Sequence, residues 1–465
     1  MKKRIVPLSL AFFFIAALLP APALAFDTGA AGQPTIISAG GNHTGFVDKD
    51  GTLWMWGYNM FGQLGTETTD NSSVPVKVLD NAATVSCGYE HTAAIKTDSS
   101  LWMWGDNRDG ELGNGTVERS AVPVKALDNA ASVSCGYDHT AAIRTDGTLW
   151  MWGNNRSGQL GNGGGGNAAA LNGDTIQTVP VKVLDNVAAV SCGGSHTAAI
   201  RTDGTLWMWG NNYPGQLGNG GGGNAVAQNG HTIQTVPLKV MDNVSAVSCG
   251  TDYTAAIKTD GTLWMWGLST SGQLGNGTTD YSSVPVKVLD NVTAVSCGFR
   301  HTAAIKTDGT LWMWGDNSWA QLGNGGGGNA AARNGDTIQT VPIKALDNVA
   351  AVSCGSYCTA AIRADGTIWT WGDNSSGQLG NNSFEPQPYP IQIEFMPSYS
   401  DPNADNVQPP APVLPEAPEE SEAPADAGPA EEKGFPVGTV MAVIAAAGAG
   451  AAGAWAYLKK KKDQA

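Results

Sequence analysis

The motif Leu/Ile-Trp-x-Trp-Gly occurs seven times, and no other feature limits the fold of this 465-residue chain as strongly. The first Trp of each copy is Trp54, Trp102, Trp150, Trp207, Trp264, Trp312 and Trp369. The spacing is 48 or 57 residues, and three copies carry a nine-residue insertion that contains Gly-Gly-Gly-Gly. A period near 50 residues is the mark of a solenoid or a propeller.

One copy, residues 130–183, shows which. Ala131–Gly136, His139–Arg144, Thr148–Trp152 and Val179–Val183 are four short β-type runs. Asp146-Gly147 is a tight hairpin dipeptide, in which Gly accepts a positive φ. Pro180 places the fourth run at a sheet edge, because proline has no N–H to donate. In Leu149-Trp150-Met151-Trp152 both alternations are large and apolar, so both faces of the sheet must be covered. Four-stranded antiparallel sheets stacked side by side in a closed ring meet that demand and leave few free edges. The expected fold is all-β, a seven-bladed β-propeller of four-stranded antiparallel blades.

The joint pattern Ser-Cys-Gly-x-x-His-Thr, Asp-Gly, Leu-Trp-x-Trp-Gly and Gly-Gln-Leu-Gly resembles the regulator-of-chromosome-condensation repeat. The resemblance runs from about Thr35 to Phe395. It implies the same seven-bladed propeller, with blade and repeat out of step. Closure is then expected where Pro390–Ile393 joins the N-terminal strands.

The ends read differently. Residues 1–25 form an expected signal peptide: Lys2, Lys3 and Arg4, an apolar run, then Ala23-Leu24-Ala25. Residues 26–396 hold the propeller. Residues 397–434 are a Pro/Glu/Ala-rich linker without helical or strand period. Residues 435–458 are an expected single transmembrane helix, uncharged from Val437 to Leu458. Residues 459–465, with Lys459–Lys462, are an expected cytoplasmic basic tail. These segments place the propeller outside the cell on a single-pass membrane anchor. Phe435–Thr439 also resembles, distantly, a wall-sorting signal, the alternative attachment. Between the two basic ends lie 19 basic and 40 acidic residues. So acidic a body excludes nucleic acid as a partner, since phosphates are neutralised by a basic surface.

Repetition argues against chemistry at the repeated residues. Cys87, Cys135, Cys192, Cys249, Cys297 and Cys354 occupy equivalent places in separate blades and read as small buried hydrophobes. Cys358 replaces the motif His, and a local bridge to Cys354 stays open. His43, His91, His139, His196 and His301 spread around a ring, too far apart for a shared zinc ion. No catalytic set, cofactor site or metal site is expected.

The copies differ from one another at two places: the pair between Cys-Gly and His, and the stretch after Trp-Gly. In a meander the first and third connections share one face, so both places, with all three insertions, fall on that face. It gathers Tyr58, Phe61, Tyr89, Tyr137, Tyr213, Phe299, Arg300, Trp319 and Tyr357, the composition of a protein-binding hot spot. The expected function is a non-enzymatic, membrane-anchored scaffold for a protein partner. A glycan is the alternative ligand. A polymer-degrading enzyme using Asp106, Asp109, Glu111 or Asp138 and a secreted-type enzyme inhibitor are the other readings. Nucleotide exchange on a small GTPase, the activity of the family's founding member, is set aside because an exported acidic chain meets neither that GTPase nor chromatin.

Overall fold

The computed structural model describes residues 36–394, apart from 170–174, 228 and 333–334. Seven antiparallel sheets follow one another along the chain, and in each the four main strands form a meander in chain order. Blade three is typical, with strands Ala130–Cys135, His139–Arg144, Leu149–Asn154 and Thr175–Leu184. Blades three, four and six add a two-residue fifth strand, Ala168–Ala169, Ala225–Val226 and Ala330–Ala331, on the outer edge. The insertions are thus edge hairpins. The Pro180 strand is the outer one of the four main strands, where a missing N–H costs least.

The turns explain the repeated Asp, Gly and Asn. Asp146 Oδ1 accepts the Thr148 N–H at 3.0 Å, and Gly147 has φ +78°. Asn186, at φ +58°, ends the next turn, a left-handed conformation asparagine tolerates. Val187 N–H donates to Gly147 O, which ties the second and fourth connections together on one face.

The Trp strand feeds two inter-blade cores. Leu149 and Met151 pack with Val190 and Trp209 of blade four. Trp152, on the opposite side, packs with Met103 of blade two. Its Nε1–H donates to Glu111 O, and its ring lies against Gly113, where a Cβ would sit 2.8 Å from the indole nitrogen. The pattern recurs around the ring and closes with Trp56 Nε1–H donating to Gln378 O at 2.9 Å.

A second belt is built from His and Thr. His43 Nε2 lies 2.8 Å from Thr92 Oγ1, and Thr92 Oγ1 donates its one proton to Gln63 O. The imidazole must therefore be the donor, with its proton on Nε2. His91, His139, His196 and His301 pair in the same way with Thr140, Thr197, Thr254 and Thr359. Blade five uses Tyr253, whose hydroxyl donates to His301 O at 2.6 Å.

Closure differs from the expectation. Gln387–Ile393 does not join the N-terminal strands; it pairs with Ile368–Gly372 as the outer strand of blade seven. Blade one is built wholly from N-terminal chain, Ile36–Ala39 through Ser72–Leu79. The seam is made instead by side chains: Ile37, Phe46 and Trp56 pack with Ala351, Ile362, Ile368 and Ile393. Ala39 N–H donates to Ser353 Oγ, and Ser356 N–H to Gly40 O. The physical reason is that Ile36–Ala39 supplies blade one with its own inner strand, so the C-terminal strand has no vacancy there to fill.

All seven cysteines are free thiols, so the open question of a Cys354–Cys358 bridge resolves against it. Burial pushes the thiols up, Cys135, Cys297 and Cys358 to about 12. Native protein should therefore resist alkylation at pH 8, while denatured, unreduced protein should take up seven labels by mass. Pairs of blocked cysteines would contradict the packing. The expected signal peptide, linker, transmembrane helix and basic tail lie outside the described residues. Among the described residues no helix is long and apolar enough to cross a membrane.

Candidate functional site

The first and third connections do share a face. Asp106 N–H donates to Glu90 O, Asn154 N–H to Asp138 O, Asp316 N–H to Arg300 O and Asp373 N–H to Tyr357 O. Gly105 permits this approach: at φ +105° a Cβ would sit 2.6 Å from Glu90 O. Within the third connection of blade two, Asn107 accepts from Leu112 N–H and donates to Thr116 O and Glu118 O. The variable side chains thus stand on a rigid base, as a recognition surface requires.

Five of the nine expected residues form one continuous arc. Tyr89 and Tyr137 stack at 4.6 Å and 30°. Tyr137 is near-parallel to Phe299 at 6.4 Å. Phe299 meets Tyr357 at 5.4 Å, and Tyr357 meets Trp319 at 6.4 Å. The arc crosses the mouth of an axial funnel lined by Gly88, Gly136, Gly193, Gly250, Gly298 and Gly355. Tyr137 anchors it, its hydroxyl 2.9 Å from Thr251 Oγ1 on the far side of the ring. The Arg300 guanidinium lies 5.0 Å from the centre of Phe299. Trp319 is 46% exposed and Tyr89 37%, whereas Tyr137, Phe299 and Tyr357 are half-buried. Burial pushes the Tyr137 phenol up.

Tyr58, Phe61 and Tyr213 make no ring contact with the arc among the described residues. Tyr58 and Phe61 form a pair at 6.2 Å, with Arg108 and Arg119 over Phe61. Tyr213 stacks on His231 at 4.4 Å in the blade-four insertion. The sequence reading missed Met60, Tyr281 and Phe384, each more than half exposed. Their signal was present, since they occupy the same variable third connection.

Beside Tyr89 and Tyr137 lies a group of acids. Carboxylate oxygens of Asp109, Glu111 and Asp138 come within 4.8 Å of one another, close enough to hold a cation between them. The expectation of no metal site rested on the spread of the five His and took no account of this group. Arg108 binds Asp106 at 2.6 Å and Glu90 at 2.8 Å. Burial, then the charges of Asp109 and Glu90, pushes Asp138 up to about 7. Glu111 is 2% exposed, and burial raises it well above the usual carboxylate range, with Asp106 adding to the rise. Six copies have Gln where Glu111 stands: Gln63, Gln159, Gln216, Gln273, Gln321 and Gln378. Glu111 Oε2 accepts the Asp109 N–H as Gln63 Oε1 accepts that of Phe61. A neutral Glu mimics the amide; an ionised one is a buried charge among charges.

Glu111→Gln should therefore stabilise the protein at pH 8 by about 1–3 kcal/mol, the cost of an ill-matched buried polar group. The gain should shrink as pH falls to about 4, where Glu111 of the unfolded chain is also becoming protonated. Urea titrations at the two pH values test this, and an equal effect at both would sink it.

A seven-bladed propeller built on this repeat defines the class. The RCC1-like domain family matches residues 164–407, and the regulator of chromosome condensation (RCC1) repeat matches 50–95 and 98–143. This chain belongs to the RCC1-like family. The repeat as matched runs from the third strand of one blade to the second of the next, so repeat and blade are out of step as expected. The RCC1 domain-containing protein RUG3, mitochondrial, of Arabidopsis thaliana is 31% identical over 229 residues, 48% of this chain and 39% of that protein. The ultraviolet-B receptor UVR8 of the same plant is 31% identical over 228 residues, 48% of this chain and 50% of that one. The match thus spans half or less of these relatives. Among solved structures, yeast RCC1 (Prp20) bound to Kap60 superposes with a TM-score of 0.63 at 18% identity, covering 85% of this chain and 91% of that one. Human WBSCR16 gives 0.62 at 23%, covering 74% and 95%. At these identities the structures speak for the fold alone.

Proposed function

We propose that this chain is a non-enzymatic scaffold that binds a protein partner through the first-and-third-connection face. The observation that carries the reading is the arc from Tyr89 to Trp319, five aromatic rings supplied by four blades and meeting in one row. Rings that are held in place and partly exposed offer large contact area at small entropic cost, as binding hot spots do. A relative of this fold, yeast RCC1, has been solved bound to Kap60. The acidic balance of the body is the reverse of what a phosphate backbone demands, and Arg108 on this face is paired with Asp106 and Glu90.

The sequence supports display of this face outside the cell, through the signal peptide at 1–25 and the transmembrane helix at 435–458. Protease added to intact cells should then release the propeller by cutting within 397–434; protection until lysis would place it inside.

For the face itself, photo-cross-linking from Trp319 and Phe299 positions on intact cells identifies the partner. Phe299→Ala and Trp319→Ala should each weaken that partner by about 2 kcal/mol, roughly thirtyfold. A cross-linked glycan would favour the lectin reading, and a cross-linked enzyme that loses activity would favour the inhibitor reading.

A further inference from the structure

The arc is not the same at its two ends. At the Trp319 end Arg300 lies over Phe299, and Asp316 Oδ1 accepts from Ser318 N–H at 2.8 Å and its hydroxyl at 2.7 Å. At the Tyr89–Tyr137 end, Glu90, Asp106, Asp109, Glu111 and Asp138 converge, and Arg108 answers Asp106 and Glu90. Asp138 directly follows Tyr137, and its carboxyl group has no hydrogen-bond or ion-pair partner among the described residues. Glu90 directly follows Tyr89 as Asp138 follows Tyr137, so each ring of the stacked pair has an acid next to it in the chain.

Two further observations locate the imbalance in this blade. Asp106 is 4% exposed; its Oδ2 binds Arg108, but its Oδ1 has no hydrogen-bond partner. In blade seven the equivalent Asp373 carboxylate accepts from the Gln378 amide at 2.8 Å, at the position Glu111 holds here. With Glu111 in place of Gln no side-chain amide stands there, and Asp106 Oδ1 is without a hydrogen-bond partner. An acidic pocket with an unanswered carboxylate, set beside two stacked tyrosines, has the chemistry that recognises an organic cation on an apolar stem: charge from the acids, and ring surface beside them to cover the stem.

We propose that this end of the arc receives a lysine or arginine side chain from an extended segment of the partner, its cation seated against the Asp138 carboxyl group and its apolar neighbours lying along Phe299, Tyr357 and Trp319. The inference rests on the scaffold reading and adds the partner's chemistry to it. The centroid steps of 4.6, 6.4, 5.4 and 6.4 Å limit the arc to the length of at most about six extended residues. The occupant is thus a short strand or tail, basic at one end and aromatic or aliphatic at the other.

The test is selection of a random octapeptide phage library on the full chain, with counter-selection on a Phe299→Ala/Tyr357→Ala/Trp319→Ala chain. Enriched peptides should carry Lys or Arg three to six positions from a large apolar residue. Asp138→Asn should weaken them about tenfold and flatten their salt dependence; Glu90→Gln should act in the same direction. Trp319→Ala should remove the apolar preference and leave the basic one. Enriched peptides without a basic residue, or insensitivity to Asp138→Asn, would overturn the inference and leave the scaffold standing. No enrichment over the counter-selected chain would overturn the scaffold reading itself. Displacement of the peptides by 1 mM calcium chloride, with calcium binding lost in Asp138→Asn, would make the pocket a divalent-cation site and overturn the inference too.

Discussion

Acidification from pH 7 to pH 5 should destabilise this propeller by several kcal/mol, with a midpoint in urea that falls steeply over those two units. The cause is the belt of imidazoles between blades. His43, His139, His196 and His301 are held down at about 3 and His91 at about 4, chiefly because burial disfavours the cation. In the unfolded chain each titrates near 6.5. Below that value the unfolded chain takes up protons that the folded one refuses, so stability is complete above pH 6.5 and is lost as pH falls toward 3 or 4. Each group contributes about 1.4 kcal/mol per pH unit inside that window. Glu111, Asp138 and Glu90 act in the opposite sense, because their folded values are raised and folding gains protons there. The five imidazoles outnumber the three carboxyl groups, so the net slope keeps the sign the imidazoles give it, with about 1.4 kcal/mol per pH unit for each proton of the difference. Each His→Gln change should lower that slope by up to one proton. A midpoint unchanged between pH 7 and pH 5 would show that the imidazoles are not buried neutral donors.

The same belt shows which features the sequence made legible and which it did not. The strands, the Asp-Gly and Asp-Asn turns and the two-faced Trp strand follow from period and turn chemistry, which act within about ten residues. The grouping of variable loops on one face followed from meander geometry alone. The seam did not. Both ways of closing the ring use the same residues, and the choice depends on whether Ile36–Ala39 reaches the axis as an inner strand. Nor did the sequence say that Tyr89, Tyr137, Phe299, Tyr357 and Trp319 would touch while Tyr58, Phe61 and Tyr213 would not. That depends on ring curvature, which brings blades two, three, six and seven together across the funnel. Glu111 was visible as a departure from Gln. Its meaning was not, because Asp138 comes from the next blade and only folding sets them 4.8 Å apart or less.

Two tryptophans five residues apart separate scaffold from recognition. Trp314 is 0% exposed; its Nε1–H donates to Gln273 O at 2.9 Å, and its ring lies against Gly275, where a Cβ would sit 2.6 Å from the indole nitrogen. It shares a core with Met265 and Leu274 of the preceding blade and Val295 of its own. Trp314→Ala leaves a cavity and an unanswered carbonyl at a blade junction, a loss of about 3–5 kcal/mol. Trp319 occupies the place where other copies have Phe61, Asp109, Ser157, Pro214, Ser271 and Ser376, so the fold asks nothing particular of it. Its backbone N–H donates to Gln321 Oε1, a bond any residue but proline makes. Its ring meets Tyr357 alone among the aromatic pairs of the arc. Trp319→Ala should shift stability by no more than about 0.5 kcal/mol, as surface changes do. Melting and partner binding read on both variants decide the matter. Equal destabilisation would make Trp319 part of the core, and the arc would lose the residue that most clearly exists for something other than the fold.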